Sequence, residues 1–325
     1  MAKSRGYHQK SNHERQMRLT TMANLITVFT PTYNRGGFLY DIFESLSQQT
    51  FKDFEWIIVD DGSTDNTKDM MDKIIADYHS FPIRYIYKKN GGKHTAINRG
   101  VKEAKGELFL ILDSDDELPN NSLQDIWKEY KTIHFDNSFA GVAGRMAHRN
   151  GTMIGGGYNF SIIDATSIEM KYNYGLKGDA CEVFRTDILK KYPFPEITEE
   201  KFVPEDLILN RISKQYKLRW FNKVIYYRDY LDGGLTDNII KIRMKSPKAA
   251  TLYYFELYKN KISYFQKIKG VINYIRFSYC IKSTPIIIEE NHKELIKYPI
   301  PKISFYWKIL YPIGFMMHLK DRFTV

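Results

Sequence analysis

Leu108-Phe-Leu-Ile-Leu-Asp-Ser-Asp-Asp-Glu117 decides how this chain is read: five large apolar residues in succession end in three carboxylates within four positions. An unbroken apolar run of this length suits a strand covered on both faces, as in a parallel sheet flanked by helices. Carboxylates this close repel one another, so a fold that gathers Asp113, Asp115 and Asp116 at a strand end needs a cation to offset them. A solvated acidic turn is the competing reading of this cluster taken alone.

The preceding residues weigh against that turn. Leu25 to Thr30 reads as a β-branched strand, followed by Phe38, Ile42, Phe43 and Leu46 at helical spacing. Phe54 to Val59 is a second strand ending in Asp60-Asp61-Gly62, after which Ser63 or Thr64 can cap a helix with the apolar stripe Met70, Met71, Ile74 and Ile75. Ile83 to Tyr87, Thr95 to Ala104 and Leu108 to Leu112 complete βαβαβαβ, an α/β class with a Rossmann-like, mostly parallel sheet flanked by helices. In such sheets ligands sit beyond the carboxyl ends of the strands. Asp60, Asp61, Asp113 and Asp115 all lie at such ends, and two acidic ends on one sheet edge make a site that neither makes alone.

Beyond residue 120 the alternation is less regular. Gly155 to Gly157, a strand and turn region, and Gly178 to Arg185 precede Tyr192-Pro-Phe-Pro195; Glu205-Asp206 then leads into Leu207, Ile208, Leu209 and Ile212 at helical spacing. From about residue 246 the pattern is helical, with Tyr253, Leu257, Tyr264 and Ile268 as candidate buried positions. The expected organisation is a disordered basic tail (1–23), a catalytic part (24–245, with 24–120 the nucleotide-binding half and 121–245 the acceptor half) and a basic, aromatic helical C-terminal extension (246–325).

With 325 residues, 43% of them hydrophobic and 15% aromatic, the chain can bury a substantial core. Its two cysteines, Cys181 and Cys280, form no CxxC and indicate neither a disulfide framework nor a structural zinc site, which fits a reducing, cytoplasmic setting. No apolar stretch reaches the roughly 18 to 20 residues needed to cross a bilayer. Residues 1–23 lack the apolar segment of a secretory signal. Of the net charge of +10, most is C-terminal: residues 246–325 hold 13 Lys and Arg against 5 Asp and Glu, interleaved with nine Tyr, six Phe and Trp307. Basic residues mixed with aromatics suit an anionic membrane surface or a nucleic acid.

Four segments, Phe29-Thr-Pro-Thr-Tyr-Asn-Arg35, Val59-Asp-Asp-Gly-Ser-Thr-Asp65, Asn90-Gly-Gly-Lys-His-Thr-Ala-Ile-Asn-Arg-Gly100 and Leu112-Asp-Ser-Asp-Asp116, resemble successive motifs of the family 2 glycosyltransferases, inverting enzymes of GT-A fold that include bacterial surface-polysaccharide transferases. The resemblance extends more loosely through Glu205-Asp206 and Asp232-Gly-Gly-Leu-Thr236. It implies a nucleotide-sugar donor, in all expectation a UDP-sugar, and a divalent cation, Mn²⁺ or Mg²⁺. It also implies a glycan or lipid-linked glycan acceptor. By resemblance to the family's DxD motif, Asp115 is the direct metal ligand, and Asp113 binds the ribose or a metal-bound water. Tyr33 offers a stacking face, with Pro31, Thr32 and Arg35 around the nucleotide, and Asp61 resembles the carboxylate that hydrogen-bonds the base. Lys93, at a helix start that favours anions, suits phosphate, with Asn98 and Arg99 as further donor contacts. Asp206 resembles the family's base, with Glu205 orienting acceptor or loop. Asp116 can equally cap a turn, Asp179 can touch sugar or serve a turn, and His94 suits a structural role better than a catalytic one.

Two departures from the family matter. The region Tyr226 to Thr236 contains no histidine to add to the metal or diphosphate, which leaves Arg228 or Arg243 as candidates to neutralise it. Gln215-Tyr-Lys-Leu-Arg-Trp220 is one residue too long for the QxxRW of processive synthases and reads as a helix end running into a strand. A non-catalytic nucleic-acid or membrane-surface binder on the same sheet is the alternative. The acidic strand ends argue against nucleic acid, whose phosphates they repel. A nucleotidylyltransferase would need a glycine-rich N-terminal loop, and residues 29–37 do not supply it. The expected setting is cytoplasmic and peripheral at the inner face of the cell membrane.

Overall fold

The computed structural model describes residues 25–77, 80–156, 159–229, 238–281, 286–289, 295–298 and 305–324. The expected tail and the Asp232 to Thr236 segment lie outside the described residues. The first half alternates β1 (Ile26–Thr32), α1 (Leu39–Ser47), β2 (Phe54–Asp60), α2 (Thr67–Asp77), β3 (Ile83–Tyr87), α3 (Lys93–Glu103), β4 (Leu108–Ile111) and α4 (Ser122–Lys131). Within β1, Ile26 and Val28 enter one apolar cluster and Phe29 the other, so both faces of the strand are covered. That two-sided burial explains why the sequence shows continuous apolar runs here.

The helix after β2 begins at Thr67, later than Ser63 or Thr64 would cap it. Those two residues are occupied elsewhere: Asn34 N donates to Ser63 Oγ and Thr64 N to Asn34 Oδ1, both at 2.8 Å, which laces the loops after β1 and β2 together. Asp65 takes over at the helix start and accepts from Thr67 N at 3.1 Å.

The second half contains β5 (Phe139–Ala147), β6 (Ile162–Ala165), α5 (Ser167–Tyr172), β7 (Cys181–Arg185), α6 (Thr186–Leu189), β8 (Glu196–Ile197), α7 (Asp206–Ile212) and β9 (Lys217–Tyr227). The main sheet runs β3-β2-β1-β4-β7-β5-β9-β6. Pairing is parallel from β3 to β4 and mixed beyond it, since β7 is antiparallel to both β4 and β5 while β5 and β9 are parallel. The Gln215 to Trp220 segment is a turn entering β9, where Trp220 Nε1 donates to Ala165 O at 2.9 Å.

The C-terminal part comprises α8 (Ile239–Lys245), α9 (Pro247–Lys259), α10 (Tyr264–Ser278), β10 (Ile286–Glu289), β11 (Leu295–Tyr298), a 3₁₀ turn (Phe305–Leu310) and α11 (Tyr311–Thr324). β10 pairs with β8 of the preceding part. Ala249, Ala250, Leu252, Tyr253 and Leu257 of α9 and Val271 and Ile275 of α10 share one apolar cluster with Leu207, Ile208 and Ile212 of α7 and with Phe29 and Phe109 of the sheet. Removing each buried Leu, Ile, Val or Phe side chain among these from water contributes roughly 1.5–3 kcal/mol. Glu200, itself buried, accepts from Lys248 N at 2.7 Å and Ala249 N at 2.8 Å and so caps α9 from the loop that leads to Glu205. Tyr264, expected inside, is 69% exposed because it is the first residue of α10, and the buried stripe falls later, on Val271, Tyr274 and Ile275.

Candidate active site

The carboxyl ends of β1, β2 and β4 meet the start of α3. Asp61, buried after β2, accepts from Lys88 Nζ at 2.6 Å, Gly91 N at 2.9 Å and Gly92 N at 2.6 Å. Asp60 is structural: it accepts from Ser63 N at 2.7 Å and from the Tyr85 hydroxyl. Gly92 adopts φ +98°, and a Cβ there would stand 2.0 Å from Lys201 O, so only glycine lets the α3 start pack against the 201–205 loop.

That approach lets one ammonium join the two halves of the chain. Lys93 Nζ lies 2.7 Å from Asp113 Oδ1 and 2.7 Å from Glu205 Oε1. Burial pulls the Lys93 pKa down, but the two carboxylates outweigh it and hold the ammonium well above its ordinary value. Burial raises the Asp113 carboxyl, yet Lys93 and Arg228 win and keep it below the usual range.

Behind this group, the Tyr226 hydroxyl accepts from Asp113 N at 2.9 Å and donates to Asp116 Oδ2 at 2.7 Å. Burial, with the Asp113 charge, pushes Asp116 up to about 7, against the Tyr226 bond. Asp116 is thus an inward anchor of the loop, whereas Asp115 is half-buried. Arg228 donates to Asp179 Oδ2 at 2.7 Å and feels Asp113 and Asp116 as well.

Asp113 and Asp115 fit a hard divalent cation. They are oxygen donors one residue apart, and Asp113 is held in the ionised form that a ligand requires. Among the described residues no three His, Cys, Asp or Glu side chains group as a metal cage.

Next to Glu205, Asp206 opens α7. Its Oδ2 lies 2.6 Å from Lys171 Nζ of α5 and 3.2 Å from the Tyr253 hydroxyl of α9. Glu182 of β7 is pushed up to about 7 by burial and then by Asp206, against a hydrogen bond to Ser167 and the charge of Lys171.

Asn98 and Arg99 stand apart from this cluster. Asn98 clamps the chain at 194–196, donating to Phe194 O at 2.9 Å and Glu196 Oε1 at 2.8 Å and accepting from Phe194 N at 2.8 Å. Arg99 pairs with Glu103 at 3.1 Å, one turn along α3. Pro31 and Thr32 are buried at the end of β1, Tyr33 is 50% exposed, and Arg35 lies over the Phe38 ring at 5.4 Å. Arg243 engages the Tyr254 hydroxyl and ring, away from Asp113. His94 is buried with no hydrogen-bond partner for either ring nitrogen among the described residues, and burial lowers its pKa to about 4, against the pull of Asp61.

Sequence reasoning missed Lys88, Lys171, Glu182, Tyr226 and Tyr253. Lys88 could have been found, since it follows β3 as Asp61 follows β2. The others sit inside elements whose contacts no local pattern announces.

The family model described as glycosyl transferase family 2 matches residues 27–192. Glycosyltransferase GlyG of Streptococcus pneumoniae serotype 4 is 37% identical over 109 residues, 33% of this chain and 36% of that protein. Chondroitin synthase of Pasteurella multocida is 30% identical over 213 residues, 63% of this chain and 20% of that protein. The chain thus spans a minor part of the length of each. Among solved structures, S. aureus TarS 1-349 in complex with UDP-GlcNAc matches at TM-score 0.58 and 20% identity, over 89% of this chain and 79% of that one. Mannosyltransferase PcManGT from Pyrobaculum calidifontis, in complex with GDP-Man and Mn²⁺, matches at TM-score 0.53 and 14% identity, over 80% of this chain and 74% of that one. At these identities the structural likenesses show the fold, the α/β GT-A arrangement. Matched over more than half its length by the family model, the chain belongs to glycosyl transferase family 2.

Proposed function

We propose that this chain is an inverting transferase that moves one sugar from a nucleotide-sugar, a UDP-sugar in the first instance, to a hydroxyl of a glycan or lipid-linked glycan acceptor in cell-surface polysaccharide assembly. The observation that carries the reading is the Lys93 ammonium shared by Asp113 and Glu205: donor-side and acceptor-side carboxylates stand within one side chain of each other. In this reading Asp61 receives the base, Tyr33 stacks beside it, and Pro31, Thr32 and Arg35 shape the loop. Lys93 turns to the diphosphate. Asp206 takes the proton of the acceptor hydroxyl as its oxygen attacks the anomeric carbon opposite the departing diphosphate. Arg228 and Lys93 offset the charge that develops on the leaving group. A divalent cation, when held by Asp113 and Asp115, supplies further stabilisation of that charge.

A panel of nucleotide sugars with Mn²⁺, scored for released nucleoside diphosphate, tests this. One UDP-sugar should be turned over by the wild type and not by Asp115→Ala, and transfer to acceptor should fail in Asp206→Asn. Undiminished transfer by Asp206→Asn would remove the base assignment.

We also propose peripheral contact with an anionic bilayer at its cytoplasmic face. Supporting it are exposed Phe265, Ile309, Met316 and Phe323 on the basic C-terminal helices. No described helix is long and apolar enough to cross a membrane. Sedimentation with anionic but not neutral vesicles at low salt is the expected result, and equal sedimentation with both would end this part of the proposal.

A further inference from the structure

Asp206 Oδ2 is engaged from two elements that lie outside the 27–192 family match or outside its motifs: Lys171 of α5 at 2.6 Å and Tyr253 of α9 at 3.2 Å. Both contacts fall on the same carboxylate oxygen. A carboxylate tied through one oxygen cannot rotate freely, and its other oxygen then keeps a defined direction.

The two partners are themselves fixed. Tyr253 is 5% exposed, belongs to the core cluster with Leu207 and Ile208, and carries the Arg243 guanidinium over its ring at 5.7 Å. α9 is anchored in turn by Glu200, from the loop that delivers Glu205 and Asp206. Lys171 lies in the last turn of α5, whose start at Thr166 is closed by a reciprocal capping pair with Glu169. The charged and titratable groups around Asp206 are Lys171 and Tyr172 on α5, Glu182 on β7, Glu205 beside it, and Tyr253 and Tyr254 on α9.

We infer that Lys171 and Tyr253 are positioning residues for the reacting carboxylate, and that α9 is therefore part of the catalytic site and not only an appendage to it. The inference rests on the reading of Asp206 as the base. Lys171 and Tyr253 fix the carboxylate plane through the one oxygen they share, and so both act through Asp206.

With the UDP-sugar selected by the panel, kcat for transfer by the full chain should fall by up to about a hundredfold in Lys171→Met and in Tyr253→Phe, while KM for donor stays unchanged. Lys171→Arg, which keeps a cationic donor at this oxygen, should restore most of kcat. If Lys171→Met does not fold, Lys171→Gln carries the same comparison. Folded variants with wild-type kcat, or with KM for donor raised and kcat unchanged, overturn the inference. Full transfer by Asp206→Asn would overturn the base reading itself, a result separable from the first because it is read on a different variant.

Discussion

The Tyr226 hydroxyl receives the Asp113 backbone N–H at 2.9 Å and gives its own proton to Asp116 at 2.7 Å, so one phenol from β9 sets the loop that carries Asp113 and Asp115. Tyr226→Phe leaves a backbone donor and a buried carboxyl without this partner. We expect a loss of about 1–3 kcal/mol in urea unfolding, the cost of stranding buried polar groups. Stabilisation by UDP with Mn²⁺ should weaken in the same variant. A variant as stable as wild type and equally stabilised by UDP with Mn²⁺ would show that the loop holds its shape without the phenol.

Lys93 competes with any cation for Asp113, since its ammonium lies 2.7 Å from one carboxylate oxygen and 3.0 Å from the other. Lys93→Met should therefore respond in opposite directions to two ligands. Mn²⁺ alone should raise its melting temperature more than that of wild type, because Asp113 is released to the ion. UDP with Mn²⁺ should raise it less, because a phosphate partner is lost. Differential scanning fluorimetry reads both, and equal shifts in the two proteins would separate Lys93 from metal and phosphate alike.

The half of the fold that runs from β1 to β4 was legible because β1, β2 and β4 are buried almost throughout and β2 and β4 lead into aspartates, so strand, end and site coincide in the sequence there. Ile83–Tyr87 falls where its pattern placed it. Beyond β4 the same rules lose force. β5 is fully buried but reads Phe-Ala-Gly-Val-Ala-Gly-Arg-Met-Ala, with two glycines and Arg145 breaking any apolar run. The surroundings of Asp206 are legible only in part for a related reason: Asp206 stands in a recognisable pair, but its partners Lys171 and Tyr253 lie 35 and 47 positions away on different helices. Asn98 illustrates the converse. Its place in a motif suggested a donor contact, while its amide is satisfied by Phe194 and Glu196, a long-range clamp that no neighbouring residue reveals.

Glu182 makes stability depend on pH in a definite direction. Its carboxyl is pushed up to about 7 from an ordinary 4.5, chiefly by burial. Between those values the folded chain keeps this proton while the unfolded chain releases its own, so the contribution of Glu182 to stability falls as pH rises from 4.5 to 7 and stays low above it. Glu182→Gln should remove that loss. Relative to wild type it should gain on the order of 2 kcal/mol more at pH 8 than at pH 5 in denaturant unfolding. A difference that is flat with pH, or larger at pH 5, would contradict a carboxyl that keeps its proton in the folded chain.

Gly92 and Gly37 form a matched pair for asking how tightly the two halves of the site are joined. Gly37 has open space around any added methyl group, so Gly37→Ala should change stability by no more than about 0.5 kcal/mol. At Gly92 the φ of +98° is unfavourable for alanine and the new Cβ would meet Lys201 O at 2.0 Å, with backbone on both sides of the collision. Strain of this kind costs on the order of 1–3 kcal/mol. Relief can come only by moving the α3 start or the 201–205 loop, and either movement separates Lys93 from Glu205. Gly92→Ala should thus be destabilised by about 2 kcal/mol and should lose transfer to acceptor more than it loses slow donor hydrolysis. Retention of both activities at the wild-type ratio would mean that the register of Lys93 against Glu205 is not what couples donor and acceptor sides.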